Sequence, residues 1–148
     1  GILLEDLTGK TLVENFKDIF VNKAGLEASV YWQKAGRDSL IGAYGLMAQP
    51  RDLVKLGRRY IEILDENKCL EKHFLKMFDK DQSSGEYGFQ VRAYPARQTK
   101  KIYASGNGGQ YIVMDRELKS VALIYSINDK YSHKGKAINI YHKAISSK

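Results

Sequence analysis

The chain has 148 residues, enough for one domain with a substantial hydrophobic core. Hydrophobic residues at 43% and charged residues at 28% exclude a disordered chain, and no apolar run approaches the roughly 18 residues that span a bilayer. The net charge of +7 is spread along the chain, so we interpret it as a solvated surface, with an anion-binding face as the alternative.

The first half of the sequence predicts helices. Apolar residues recur at helical spacing over residues 3–20, and Thr8-Gly9 separates them into two helices. Thr11 and Glu14 have the spacing of a capping box, in which each residue binds the backbone N–H of the other. The second helix is therefore predicted to begin just after Thr11.

The aromatic residues of this half are predicted to pack in the interior. Phe16 and Phe20 are four residues apart and are expected to anchor the core. Residues 26–41 have weak periodicity and predict an irregular crossing, in which Trp32 is expected to be buried; a place in a substrate cleft is the alternative. The single cysteine, Cys69, excludes an internal disulfide, and its apolar neighbour Leu70 predicts a covered thiol.

The best-defined helix is predicted to begin at Pro50, because proline suits the first helical position and Asp52 lies near the positive end of the helix dipole. Its apolar residues fall on one face: Leu53, Leu56, Tyr60, Ile61 and Leu64. A similar pattern from Leu70 to Phe78 predicts a shorter helix.

The second half predicts an antiparallel sheet. Four apolar runs predict strands: Tyr87–Val91, Lys101–Ala104, Tyr111–Met114 and Val121–Tyr125. The last two form a hairpin through the polar turn Asp115–Lys119, and the non-alternating run Val121–Tyr125 predicts a strand covered on both faces. A terminal amphipathic helix over residues 137–145 is expected to cover one sheet face. The fold class is therefore α+β, an antiparallel sheet with flanking helices.

Three glycines, Gly106, Gly108 and Gly109, fall within four positions directly before this hairpin. Such a density lets backbone N–H groups face a ligand without Cβ atoms in the way, so we predict a site there. A tight turn that binds no ligand is the alternative. A phosphate loop is disfavoured, because no Lys-Ser/Thr pair follows and the segment leads into a strand.

The run Ala104-Ser105-Gly106-Asn107-Gly108-Gly109-Gln110, followed by an aliphatic strand and a polar turn, resembles the third motif region of the penicillin-recognising serine hydrolases. The match is to the branch that holds class C β-lactamases, related esterases and 6-aminohexanoate-dimer hydrolase. Asn107-Gly108-Gly109 occupies the motif that is Lys-Thr-Gly or His-Gly-Gly in members of the family. Three further segments are similar to the family: Leu7-Thr8-Gly9-Lys10, the glycine-rich run from Gly42 through Arg51-Asp52-Leu53 to Gly57, and Tyr87-Gly88-Phe89.

The resemblance covers the whole chain, but only the C-terminal part of the family. It implies one partial β-lactamase/transpeptidase-like domain over residues 1–148, with a helical part over about 1–80 and the sheet and terminal helix over about 86–148. The family's Ser-X-X-Lys nucleophile pair and Tyr-X-Asn motif, which precede the matched region, are absent from the sequence. We therefore expect a missing N-terminal part of the same polypeptide, and the resemblance implies the periplasm or cell envelope.

The same resemblance assigns the candidate site residues. The backbone N–H of Gln110 is the candidate oxyanion-hole donor, and Ser105, Asn107, Gly108 and Gly109 are the candidate substrate-binding residues. Asn107 departs from the Lys or His of the family: it donates and accepts hydrogen bonds but carries no charge. Ser105-Gly106-Asn107 also has the Ser-X-Asn form of another family motif, but its place directly before an aliphatic strand favours the third motif.

Metals and cofactors are not expected. His73, His133 and His142 lack the spacing of metal ligands, and no carboxylate or cysteine partner stands at ligand spacing. The sequence therefore predicts neither a metal site nor a cofactor.

The expected function is that of a segment of a serine hydrolase acting on an amide or ester, such as a β-lactam, a peptide or a small ester, through an acyl-enzyme. The isolated chain is expected to be inactive. A non-catalytic binding member of the same fold and a basic anion-binding module are the alternatives. The expected partner is a small-molecule or peptide substrate and not nucleic acid, since few aromatic residues alternate with the basic ones. No transmembrane segment is expected, and a homo-oligomer is left open.

Overall fold

The computed structural model of the protein describes residues 2–34, 41, 44–79, 86–126 and 139–144. The chain forms two compact units, Gly1–Arg59 and Tyr60–Lys148. Gly42 and Ala43 of the glycine-rich run, and His133, lie outside the described residues.

The first unit is mostly helical. In chain order it contains α1 (Ile2–Thr8), α2 (Leu12–Phe16), a π-helical segment (Lys17–Val21), α3 (Asn22–Ala24), and two short antiparallel strands, β1 (Tyr31–Trp32) and β2 (Leu46–Met47). The predicted capping box is confirmed: Glu14 N–H donates to Thr11 Oγ1 (3.2 Å), and Thr11 N–H donates to the Glu14 carboxylate (2.8 Å). These bonds satisfy N–H groups that have no partner inside the helix, so α2 begins here.

The helix α4 (Pro50–Glu66) begins at Pro50, as predicted. The carboxylate of Asp52, fully buried in its first turn, accepts hydrogen bonds from the N–H groups of Glu27 (2.9 Å) and Ala28 (3.0 Å). The ammonium of Lys55 lies 3.8 Å from the same carboxylate. Because a buried charge is stable only when it is paired or hydrogen-bonded, these contacts fix the loop after α3 to the start of α4.

The second unit contains a five-stranded antiparallel sheet whose strands follow one another in chain order, together with the helix α5 (Lys68–Met77). The strands are β3 (Tyr87–Gly88), β4 (Val91–Ala93), β5 (Lys101–Gly106), β6 (Gln110–Asp115) and β7 (Ser120–Ile124). The β6–β7 hairpin is the one predicted from the sequence. The α+β fold class, with an antiparallel sheet and flanking helices, is confirmed.

Two hydrophobic clusters hold this unit together. The first packs α4 and α5 against the sheet through buried side chains: Ile61, Leu64, Phe74, Phe78, Val91, Ala93, Ile102 and Met114. The second joins sheet residues to the helical residues 139–144: Tyr103, Tyr111, Val113 and Tyr141. Ile102 and Tyr103 are neighbours on β5 but belong to different clusters, because successive strand side chains point to opposite faces.

Two sequence-based expectations are wrong. Tyr87–Val91 is not one strand, because positive φ angles at Phe89 (50°) and Gln90 (64°) reverse the chain between β3 and β4. Cys69 is exposed, since α5 turns its buried residues towards the sheet and Cys69 away from it.

The expectation that β7 is covered on both faces holds in part. Val121 packs against the first cluster, and Ala122 and Ile124 pack against the second, on the opposite face. The strand stays half-buried along its length, because it is the last strand in the order of the described sheet.

In the described part of the chain, no helix is both long and apolar enough to cross a membrane. The same residues contain no group of three or more His, Cys, Asp or Glu side chains that could hold a metal ion.

Candidate functional site

The predicted site residues are contiguous in one hairpin, and we refer to Ser105–Gln110 as the rim. The rim consists of the end of β5, the three-residue turn Asn107–Gly109 and the start of β6, and Gly106 and Gln110 are cross-strand partners that close the turn. Gly108 and Gly109 have φ angles of 78° and 77°. Only glycine adopts this region without a steric penalty, so the turn explains both residues.

The rim is only partly open to solvent. Ser105, Gly106 and Asn107 are exposed, Gly108 and Gln110 are half-buried, and Gly109 is buried. A Cβ atom built on Gly106 would have one neighbour within 4 Å, the Cβ of Gln110 at 3.6 Å. As far as the structure describes the chain, the space above Gly106 is therefore open, and a ligand can approach the main chain there.

The strand β5 extends beyond its neighbour β4. The two strands pair only at Arg92 with Tyr103 and at Ala93 with Ile102, so residues 104–106 have no described strand partner on the β4 side. Main-chain N–H and C=O groups on such an edge can pair with an extended ligand. The rim thus offers both an unpaired strand end and a glycine turn.

Among the described residues, the free edge precedes the glycine turn, at residues 104–106 of β5. β6, which follows the turn, lies between β5 and β7. The edge of β5 is free because β4 is only three residues long, and the length of a neighbouring strand cannot be seen in the motif itself.

A second turn, which the sequence did not reveal, lies at the same end of the sheet. Phe89 and Gln90 connect β3 to β4, and because β4 and β5 are antiparallel, the start of β4 meets the end of β5. The one signal in the sequence was Gly88, since a glycine inside a strand often marks a close approach; a Cβ there would lie 2.9 Å from the Cβ of Met77.

Three contacts hold this second turn in place. The hydroxyl of Tyr60 donates a hydrogen bond to the carbonyl of Phe89 (3.0 Å), and the Phe89 ring packs on Phe74 with ring centroids 5.9 Å apart. The hydroxyl of Tyr87 lies 2.8 Å from the Gln90 side-chain oxygen and donates to it. The Phe89 side chain nevertheless remains 43% exposed.

The buried carboxylate of the sheet lies at its other end. Asp115 is buried and its carboxylate accepts the N–H groups of Glu117 (3.0 Å) and Leu118 (2.8 Å), which closes the β6–β7 turn. The Tyr141 hydroxyl lies 2.7 Å from that of Ser120, and burial raises the pKa of Tyr141. The rim residues themselves carry no titratable side chain, so the rim donates and accepts hydrogen bonds but cannot transfer a proton.

Trp32 lines a cavity in the first unit. Its indole Nε1–H donates to the carbonyl of Ile41 (2.8 Å), and its ring meets Phe16 edge-on at 5.1 Å. Both rings are half-buried and line a cavity of about 280 Å³ together with Val13, Lys17, Val21, Val30 and Lys34. The expectation of a buried, packed Trp32 therefore holds only in part, since the ring packs on Phe16 but is half-buried. The expectation that Phe16 and Phe20 are core residues also holds only in part, because both are half-buried.

Many basic side chains pair with carboxylates. Ion pairs are formed in both units: Lys10–Asp18, Lys55–Glu27, Lys68–Glu71, Lys100–Glu117, Arg116–Glu71 and Lys119–Asp65. This pairing reduces the positive charge that would be available to an anionic polymer, so it gives no support to an anion-binding face.

No protein-family model matches the chain, and neither a curated protein nor a solved structure matches it significantly. The function is therefore argued from the geometry of the rim.

Proposed function

We propose that the chain is the C-terminal segment of a β-lactamase-like serine hydrolase that acts on an amide or ester through an acyl-enzyme. The observation that carries the proposal is the rim, where the unpaired end of β5 meets a turn with two glycines at positive φ. The Ser-X-X-Lys nucleophile, which this sequence lacks, would be supplied by polypeptide outside it.

Acyl transfer needs a nucleophile, a base and hydrogen-bond donors aimed at the developing oxyanion. We assign the donors to the rim, with the N–H of Gln110 as the candidate, and a Cβ built on the neighbouring Gly106 would have only the Gln110 Cβ within 4 Å among the described residues. An acyl carbon must come within about 3 Å of such donors, and glycines permit that distance. The rim contains one hydroxyl, that of Ser105, but no base that could activate it, since the rim side chains do not titrate. We therefore assign the nucleophile and the base to the Ser-X-X-Lys pair outside this sequence.

Asn107 narrows the class of substrate. It is exposed at the tip of the turn, where the family carries Lys or His, and an amide side chain can hydrogen-bond to a substrate without attracting its charge. We therefore propose a neutral amide or ester as the substrate, recognised by main-chain and amide hydrogen bonds, and not one selected through its carboxylate at this position.

A non-catalytic relative that binds peptide or cell-wall material is the second candidate. Two observations favour it: the rim has no titratable side chain, and the free edge of β5 suits the addition of an extended peptide strand. This protein would bind the same ligands but would not form an acyl-enzyme.

The test uses the longer polypeptide encoded by the parent gene. We expect it to hydrolyse a chromogenic β-lactam or a p-nitrophenyl ester, and to lose that activity when the serine of its Ser-X-X-Lys motif is replaced by alanine. The 148-residue chain alone should not be labelled by a fluorescent penicillin. A longer polypeptide that binds these compounds without turnover would support the non-catalytic candidate, and labelling of the short chain would contradict the proposal.

A further inference from the structure

We infer that the Phe89 ring determines which acyl groups the rim accepts, by binding an apolar and preferably aromatic substituent of the substrate. This inference rests on the proposed hydrolase function. It assigns a specificity role to a residue outside the glycine motif.

Backbone strain is the first observation. Phe89 and Gln90 have φ angles of 50° and 64°, in the left-handed region that bulky residues avoid. Two-residue hairpin turns of this kind strongly favour Asn-Gly or Gly-Gly. Strained non-glycine residues persist where the surrounding structure holds them, and they cluster at ligand-binding sites. A phenylalanine at such a position therefore indicates a role for its side chain.

Preorganisation is the second observation. The carbonyl of Phe89 is held by the Tyr60 hydroxyl and its ring by Phe74, which is fully buried. Despite these contacts, Phe89 is 43% exposed to solvent. An aromatic surface that is fixed in place and still exposed can bind a ligand at a low cost in side-chain entropy.

The third observation is that Phe89 and the open space above Gly106 lie on the same face of the sheet. Ile102 of β5 belongs to the cluster that contains Phe74, and Ala104 packs against that cluster. Positions along a strand alternate between the two faces of the sheet, so Gly106 lies on the same face as Ile102 and Ala104. The Phe89 ring contacts Phe74 on this face, one strand away from the end of β5.

Together these positions define where a substituent would lie. A substrate whose carbonyl is bound by the rim main chain would extend its acyl substituent over Gly106 and against the Phe89 ring. Gly106 has no side chain to block this path. Aromatic substituents should gain the most binding free energy, because offset or edge-on ring pairs add a favourable interaction to that of the apolar area they bury.

The experiment compares two esters with the same leaving group, p-nitrophenyl acetate and p-nitrophenyl phenylacetate, hydrolysed by the longer polypeptide. We expect kcat/KM to be higher for the phenylacetate, and Phe89→Gly to lower the phenylacetate-to-acetate ratio roughly tenfold. Glycine removes the ring and also suits the positive φ, so this variant retains the turn. Phe89→Leu, which keeps an apolar side chain, should give an intermediate ratio, and the matched control Gln90→Gly should keep the wild-type ratio.

The outcomes separate the two proposals. A wild-type polypeptide that hydrolyses neither ester nor a β-lactam would overturn the proposed function and this inference with it. Hydrolysis in which Phe89→Gly and Phe89→Leu lower both esters equally, or in which Gln90→Gly also abolishes the preference, would overturn the inference alone. Melting temperatures of the three variants confirm that each is folded under the assay conditions, so that an equal loss for both esters counts against the inference.

Discussion

The two turns at the rim end of the sheet have the same kind of backbone but different residues. Gly108 and Gly109 adopt positive φ without strain and present no side chain. Phe89 and Gln90 adopt similar angles; the Tyr60 hydroxyl holds the Phe89 carbonyl, and Phe74 packs on the Phe89 ring. The first turn leaves open space for a ligand above Gly106, whereas the second turn places the Phe89 ring beside that space.

Approximate energies compare the backbone strain of the second turn with the contacts that hold it. A non-glycine residue in the left-handed region costs about 1 kcal/mol, or about 2 kcal/mol for the pair Phe89–Gln90. The Tyr60 hydrogen bond contributes about 1 kcal/mol and the Phe74 ring pair about another 1 kcal/mol. The contacts thus offset the strain, so the second turn depends on its neighbours and the first does not.

The largest expected effect comes from placing a side chain in the glycine turn. Gly109→Val should lower the free energy of unfolding by about 2 kcal/mol, because a β-branched residue is a steric outlier at a φ of 77° and Gly109 is buried. Urea denaturation measures the change. Asn107→Ala, at the exposed tip of the same turn, is the control and should stay within about 0.5 kcal/mol of the wild type. Equal stability of the two variants would show that the turn does not need glycine.

The second-largest expected effect on the free energy of unfolding comes from removing a hydrogen bond that holds the second turn. Tyr60→Phe keeps the ring but removes the hydrogen bond to the Phe89 carbonyl, so we expect a loss of about 1 kcal/mol in the free energy of unfolding at pH 7. Tyr87→Phe removes the bond to the Gln90 side chain on an exposed surface and should cost less than about 0.5 kcal/mol. If both variants lose the same amount, Tyr60 has no special part in holding the turn.

Alkaline pH should reduce the contribution of Tyr60 to the free energy of unfolding. Burial raises the pKa of Tyr60 to about 12, against about 10 in an unfolded chain. Between pH 10 and 12 the unfolded state loses this proton while the folded state keeps it, so the stabilisation present below pH 10 declines over this range. The difference in unfolding free energy between wild type and Tyr60→Phe should therefore shrink from pH 10 to 12, and a constant difference would contradict this pKa shift.

The smallest expected effect is a gain in the free energy of unfolding. Gln90→Gly should raise the free energy of unfolding by about 0.5 kcal/mol, because relief of strain at a φ of 64° exceeds the entropic cost of glycine. Ser105→Gly, in extended backbone at the end of β5, should lower it by about 0.5 kcal/mol, since glycine there adds entropy only to the unfolded chain. The same sign for both substitutions would contradict the assignment of strain to the second turn.

Elements with local signals could be predicted from the sequence. The Thr11–Glu14 capping box, the start of α4 at Pro50 and the β6–β7 hairpin each depend on residues within a few positions of one another. The glycine turn of the rim belongs to the same class. In each case the residues whose interactions form the element lie close together in the sequence.

Features that depend on distant residues could not be predicted. The free edge of β5 exists because β4 is short, and the Phe89–Gln90 turn exists because Tyr60 and Phe74, from α4 and α5, hold it. Phe-Gln has none of the residues that mark a turn, so the sequence predicted one strand there. The half-buried β7 likewise follows from its place at the end of the sheet, which only the strand order reveals.

The open end of β5 also bears on how the protein behaves at high concentration. On the side of β5 away from β6, Ser105 and Gly106 have no strand partner among the described residues, and such an edge can template intermolecular strand addition. A net charge of +7, in contrast, makes separate molecules repel one another. Salt screens that repulsion over about 10 Å at 0.1 M and leaves the hydrogen-bonding edge intact. Colloidal stability should therefore fall as ionic strength rises, and a short strand peptide that caps this edge should restore it.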